Sequence, residues 1–464
     1  MRYPDPSGDQ DEKEQLGARR WHATHTFSIV FIAIVVAVGA ALVLHGHRPV
    51  ADRMVAPTAA APAGTTEEAV ASPTPPVRAP VTPRRIPASD EVEVCGVGIV
   101  KREDIERPEF FAQHFREQRV DGEQWLLRLS SSDDESVRAA GRYLAAAPPW
   151  GPADESIRNR LEACGRDAGC SAQVLRDAPF VAPNAGREID ALADAAATTS
   201  DPVVYAIAVQ ACAAWDAKVK RGGSYCQLIT LDRWTQLDGD NLVPWLFRAA
   251  AADAQGDAAT KREALYRASI ATGSRSGGEA LLARALPALP ADLSELERQG
   301  LAVGAMGLTA AWVPPPLQLV MTACTAEAVR DANVRQVCDG LASVLAEKSN
   351  NLTERTLGAK MAERLGWPAE RVAALKKELN AIRAIASNPP SDALDCSSLQ
   401  RTNADFLRRA QMGEVAFYRA RIAESNETVD GWAKRFADSV ANLRLAAASA
   451  AAASAASVIA SGSR

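Results

Sequence analysis

The chain has 464 residues, with 52 Lys and Arg against 57 Asp and Glu and a net charge of −5. At about 150 residues per domain there is room for roughly three domains. The near-neutral balance argues against a nucleic-acid binder with a strongly basic face. Aromatic residues make up only 5% and alanine is abundant; alanine favours helix, and the β-branched and aromatic content that many strands need is low.

The first element is Phe27 to Leu44, an apolar run without charge. At 1.5 Å per residue it is about 27 Å long, close to the ~30 Å hydrocarbon core of a bilayer. A cleaved signal peptide is the alternative. Against it, the run begins late, and His45-Gly46-His47-Arg48-Pro49 offers no small-residue cleavage site. A single transmembrane helix is therefore expected over 27–44, flanked by His22, His25, His45 and His47, with Trp21 as an interfacial anchor. Lys13, Arg19 and Arg20 precede the run, and Arg48 and Arg53 follow it. That narrow bias makes residues 1–26 a short cytoplasmic tail.

All of the 8 cysteines (Cys95, Cys164, Cys170, Cys212, Cys226, Cys324, Cys338 and Cys396) follow the run. An even number on one side suits an oxidising compartment. The excess of Arg over Lys and the alanine content are bacterial in character. The expected location is the bacterial inner membrane, single-pass, with the main domain in the periplasm. Between them, residues 55–88 are rich in Pro, Ala and Thr. Such a segment buries little and tends to the extended polyproline conformation, reaching on the order of 100 Å at about 3.1 Å per residue. It reads as a disordered linker, a stalk between membrane and folded domain.

The folded domain is expected over 91–443. Glu91 to Lys101 alternates like a strand and could stand as a lone extended segment. Helical stretches follow at Gly122–Leu129, Asp134–Ala146, Ala191–Thr198, Pro202–Lys218, Tyr225–Leu237, Asn241–Ala254 and Ala258–Ala271. Gly273-Ser274-Arg275-Ser276-Gly277-Gly278 reads as a loop, having no Lys-Ser/Thr end of a phosphate loop. Helices resume at Leu293–Trp312, Pro316–Arg330, Asn333–Lys348, Leu352–Leu365, Pro368–Ile385, Ala404–Ser425 and from Val429 to about Ala452. Residues 444–464 form an Ala/Ser-rich tail that extends a helix and then frays; Ser interrupts it too often for a membrane span.

Two internal echoes stand out. Ser132-Asp133-Asp134 and Ser200-Asp201-Pro202 each place an acidic cap before an apolar helix. Cys212 precedes Cys226 by the same spacing as Cys324 precedes Cys338, and each pair is followed by a polar turn and a helix, Asp240-Asn241-Leu242 and Asn350-Asn351-Leu352. Structural repetition is the reading of this second echo. The stretch from Asn241 to Gly256-Asp257, followed by Ala264, Tyr266 and Ala268, resembles α-solenoid helical-repeat proteins of the tetratricopeptide or HEAT kind, best over residues 241–271. It lacks the Leu-Gly pair and the 34-residue period of the tetratricopeptide pattern. The resemblance implies an all-α, α-solenoid-like domain of stacked hairpins, each burying its apolar face on its neighbour.

Spacing suggests how the cysteines pair. Cys324 with Cys338 and Cys212 with Cys226 each flank a turn, Cys164 with Cys170 would close a local bridge, and Cys95 with Cys396 remain. Eight cysteines permit about a hundred pairings, so proximity alone carries this; buried free thiols in a cytoplasmic domain are the alternative.

Catalytic constellations are scarce. The only histidine beyond the flanks of the apolar run is His114, which reads as a packing or surface residue. No zinc-spaced Cys/His set, no HExxH and no Gly-x-Ser-x-Gly elbow occurs, and Cys95-Gly96-Val97-Gly98 lacks the third glycine of a dinucleotide fingerprint. No catalytic residue, cofactor or metal is expected. One enzyme class is weighed: helical peptidoglycan-cleaving (lytic transglycosylase-like) proteins, which use a single Glu. Glu135-Ser136, Glu155-Ser156 and Glu424-Ser425 echo their Glu-Ser, and Gly304-Ala305-Met306-Gly307-Leu308 their later segment, but order and distance do not match. A buried Glu with a raised pKa would discriminate. The expected function is a protein–protein interaction scaffold or adaptor for envelope proteins or peptides, with no nucleic-acid partner. Peptidoglycan binding or cleavage is the alternative. Trp125, Trp150, Trp215, Trp234, Trp245, Trp312, Trp367 and Trp432 are expected mostly in packing, any exposed on one face being interface candidates.

Overall fold

The computed structural model describes residues 87–105 apart from 89, then 110, 122–146, 185–219, 225–310, 312–388 and 394–462, with single positions between 160 and 173. The apolar run 27–44, nearly all of the linker 55–88, His114, Trp150 and Glu155 lie outside the described residues. So does the Trp215 side chain. Among the described residues no helix is long and apolar enough to cross a membrane.

The described chain is all-α apart from one hairpin. Strand β1 (Glu91–Val94) pairs antiparallel with β2 (Gly98–Lys101), Val92 facing Val100. The alternating segment is thus a hairpin rather than a lone strand, because Gly96 and Gly98 take positive φ and turn the chain. The short helix α1 (Arg102–Ile105) follows.

Helices α2 (Gly122–Ser130), α3 (Glu135–Ala146), α4 (Ala185–Thr198) and α5 (Pro202–Val219) build the first layer. Both acidic caps work as such. Asp134 Oδ1 accepts from the Ser136 and Val137 amides at 2.8 and 3.1 Å, and Asp201 Oδ1 from Val203 at 2.8 Å. The stretch expected as one helix over 225–237 is a 3-10 turn, Cys226–Leu228, and a separate helix α6 (Leu231–Leu237). Thr230 is extended there and caps α6, while the Tyr205 hydroxyl binds both the Thr230 amide and carbonyl.

Helices α7 (Leu242–Ala254) and α8 (Ala258–Ser269) form a hairpin across the Gly256-Asp257 turn, with Asp257 capping α8. Next, where 273–278 is expected as a loop, its last two residues open a helix, α9 (Gly277–Ala285), continued by a 3-10 turn to Ala288. It lies at the hub of the fold, packing against α3, α5, α10 (Glu295–Ala310) and α15 (Cys396–Met412). Its Gly-Gly start is what made it look like a loop, and packing explains it. A Cβ on Gly277 would meet the Trp312 ring at 2.8 Å and Ala206 Cβ at 3.2 Å. Only glycine allows α9 that close.

Beyond α10, the segment expected as one helix over 316–330 is α11 (Leu317–Ala323) and a 3-10 turn, Ala328–Arg330. Helix α12 (Ala332–Ser343) widens into a π turn, Val344–Lys348, before α13 (Leu352–Arg364) and α14 (Ala369–Ala386). The expected helix 404–425 is two: α15 starts earlier, capped by Asp395, and Gly413 at φ 82° breaks it from α16 (Glu414–Glu424). Finally α17 runs from Val429 to Gly462 without interruption and lies along α14.

Three groups of buried side chains hold these helices. One joins α2 to α5 with α9 and α10 around Trp125, Leu144, Leu192, Tyr205 and Leu281; a second joins α7, α8, α11, α12 and α13. The third, around Ile382, Val415 and Trp432, ties α14, α16 and α17. Among the described tryptophans, Trp125, Trp234 and Trp432 are buried and Trp245, Trp312 and Trp367 half-buried, so none stands out as an interface candidate.

The cysteines form four disulfides: Cys95–Cys396, Cys164–Cys170, Cys212–Cys226 and Cys324–Cys338, with Cα–Cα distances of 4.5, 5.5, 5.6 and 5.7 Å. The partners coincide with those that spacing suggests. The first bridge spans 301 positions and pins the hairpin turn to the start of α15, beside a bond from the Cys95 amide to the Leu394 carbonyl at 2.8 Å.

Candidate functional site: a polar seam of helix starts

The two echoing turns flank one segment, 272–275, which touches both. Segments 240–242, 272–275, 349–351 and 413–415 lie side by side, and each leads into a helix: α7, α9, α13 and α16. Parallel bridges join Asn241 to Gly273 and Ser274 to Ser349, and the Val415 amide donates to the Asn350 carbonyl at 3.0 Å. Each helix start leaves first-turn amides without a partner inside its own helix, and such amides attract acceptor side chains.

At one end, Asn241 caps α7 by accepting from Val243. Its amide group also donates to Asp238 Oδ2 at 2.6 Å and to the Arg275 carbonyl at 3.0 Å. Arg275 then bridges Asp238 and Asp240, 2.9 Å to each. Burial pushes the Asp238 carboxyl up, against the pull of Asn241 and Arg275. Asp240 lies nearer solvent; burial is the largest single influence and raises it, but the Arg275 bond and charge, with Thr272, together outweigh burial and hold it below the ordinary value.

The middle of the seam is drier. Asn351 caps α13. Glu354, only 3% exposed, accepts from the Ser349 hydroxyl at 2.6 Å, and burial raises its pKa against that bond. Buried Ser274 presents its hydroxyl to the same carboxyl without a hydrogen bond of ordinary geometry. Arg355, also 3% exposed, donates to the carbonyls of Ser349 at 2.7 Å and Glu347 at 2.8 Å, and to Glu378 at 3.3 Å. It thereby satisfies carbonyls that the π turn leaves exposed at the end of α12.

At the far end, Glu414 accepts from the Leu352 amide at 3.0 Å and from Arg409 at 2.6 Å. The Glu414 amide in turn donates to Glu279 Oε1 at 3.2 Å. Burial is the main cause that lifts Glu279 to about 7; the Glu414 and Glu354 charges add to it, while the Glu414 amide and Arg409 oppose it.

Neither Glu279 nor Glu354 was singled out from the sequence. Of the Glu-Ser pairs that were, Glu424 is exposed and held by Arg408, which lowers its pKa, and Glu135 sits in the first turn of α3. The only sequence signal for the seam was the repeated Asn-Leu flank at 241–242 and 351–352. Among the described residues no group of three or more potential ligands is placed to hold a metal ion. What the seam does chemically is satisfy helix-start amides with side-chain oxygens. Compared with known proteins, the chain matches no family model, no curated protein and no solved structure.

Proposed function

We propose that the protein is a membrane-anchored helical scaffold of the bacterial envelope. In this reading residues 27–44 span the inner membrane, 55–88 form the stalk, and a solenoid-like helical-repeat domain stands in the periplasm and binds other envelope proteins or peptides. The observation that supports it best is on α8. Its inner face, Ala264, Leu265 and Ala268, is buried, yet Tyr266 and Ile270 are 44% and 54% exposed one helical turn apart. An exposed aromatic–aliphatic pair, Tyr266 in the last turn of α8 and Ile270 at its C-cap, suits an apolar segment of a partner. The disulfides agree with an oxidising compartment.

The wall-cleaving alternative draws support from the raised Glu279 and Glu354. A glycosidase acid must be free to reach the glycosidic oxygen. Here Glu354 is engaged by Ser349 and Glu279 by the Glu414 amide, so both serve helix ends. Site-specific photo-cross-linkers at Tyr266 and Ile270 of the full chain, in its native membrane, separate the readings. The scaffold gives discrete adducts there and none at Lys434 on α17. Equal labelling at Lys434, or release of wall fragments that stops in E279Q or E354Q, would overturn it.

A further inference from the structure

The four bridges differ in reach and in what they present to solvent. Cys164–Cys170 spans 6 positions, and Cys212–Cys226 and Cys324–Cys338 span 14 each, so each can close once its own turn is made. Cys95–Cys396 spans 301 positions and cannot close before the start of α15 exists. Loop closure weakens with about the three-halves power of length, so the 14-position loops outcompete the long one by about a hundredfold. The local pairs therefore close first and leave Cys95 and Cys396 as the last two thiols.

Burial then sets the route by which those two are joined. Cys95 is 6% exposed, and the four cysteines of the 14-position bridges lie between 1% and 8%. Cys164 is buried and Cys170 half-buried. Cys396, the first residue of α15, is the one exposed cysteine of the eight. The hairpin is seated there by a bond that does not need the bridge, from the Cys95 amide to the Leu394 carbonyl at 2.8 Å, and Val94 is buried beside it.

We propose that Cys396 is a thiol–disulfide exchange site, at which an external disulfide-donating protein closes the Cys95–Cys396 bridge last, on the folded chain. The Cys396 thiolate attacks one sulfur of the donor's disulfide, forming a mixed disulfide and releasing the donor's other sulfur as a thiolate. The Cys95 thiolate, held out of the donor's reach, then attacks Cys396 Sγ. That closes the bridge and releases the donor's second thiolate. Two thiols of this chain are oxidised, one donor disulfide is reduced to a dithiol, and the two protons pass from the first pair to the second.

Oxidative refolding of the reduced full chain in detergent, with glutathione disulfide as the donor, tests the order. Samples are quenched by alkylation and mapped as peptides without reduction. Cys95–Cys396 should form about tenfold or more slower than either 14-position bridge; forming ahead of one of them would overturn the proposal. The entry point is read in single variants. Glutathione should stay on Cys396 in Cys95→Ala, and should label Cys95 about tenfold or more slower in Cys396→Ala. Equal labelling of the two would overturn it. The oxidised native chain under limiting reduced glutathione gives the same reading without a variant. Cys95–Cys396 should open before Cys212–Cys226 and Cys324–Cys338, with glutathione carried on Cys396. Earlier opening of either short bridge, or glutathione carried on Cys95, would equally overturn it.

Discussion

Removing the Cys95–Cys396 bridge should cost more stability than removing any other. The bridge closes a span of 301 positions, whereas Cys324–Cys338 closes 14. In the chain-entropy treatment these loops stabilise by about 5 to 6 and about 3 kcal/mol respectively at 25 °C. The nested bridges shorten the long loop too little to change the order, because the dependence on length is logarithmic. The full value holds only if the hairpin unfolds together with the helices. The structure argues that it does: Val94 is 1% exposed, and the Cys95 amide is bonded to the Leu394 carbonyl. Urea unfolding of the full chain, comparing Cys95→Ala/Cys396→Ala with Cys324→Ala/Cys338→Ala, should show the first losing about 2–3 kcal/mol more. Equal losses, or a larger loss for the short-loop pair, would refute the idea that the hairpin and α15 close one cooperative unit.

Three further outcomes follow from packing and capping. Gly358→Ala should destabilise by about 1–3 kcal/mol, since a Cβ there would lie 2.3 Å from the Ala346 backbone nitrogen; Gly307→Ala, with nothing within 4 Å, should stabilise by about 0.5–1 kcal/mol, and thermal melts would compare the two. Arg355→Met should cost about 3–5 kcal/mol in denaturant melts, because it leaves Glu378 short of a partner and the Ser349 and Glu347 carbonyls without their donor. Asp395, which caps α15 through the Ser397 and Ser398 hydroxyls and amides, is held far below the ordinary carboxylate range by those bonds. A depressed pKa gives stability that is present above the unfolded value and lost as pH falls, so Asp395→Asn should flatten the acid side of the stability–pH curve. An unchanged acid limb would count against the cap.

The helical class was legible because alanine and the apolar spacing act locally, and so were the acidic caps at Asp134 and Asp201. Helix ends that depend on distant partners were not. Gly277-Gly278 looked like a breaker until Trp312 and Ala206 were seen against it, and Gly413 breaks a helical pattern at a corner seated on Asn350. Asp395 before Ser397 and Ser398 is a readable start signal for α15, eight residues ahead of the start expected at Ala404. The seam was nearly invisible. Glu279, Glu354 and Glu414 come from three helices, and only tertiary packing brings them together, with Glu354 buried and the other two half-buried.

The most direct test of the account traps thiols in intact cells with an alkylating reagent, then maps peptides of the full chain without reduction. The account predicts cross-linked Cys95–Cys396, Cys212–Cys226 and Cys324–Cys338 peptides and a bridged Cys164–Cys170 peptide, as expected for a stapled helical domain on the oxidising side of the membrane. Alkylated free thiols at all eight cysteines would contradict it, removing both the staples and the compartment.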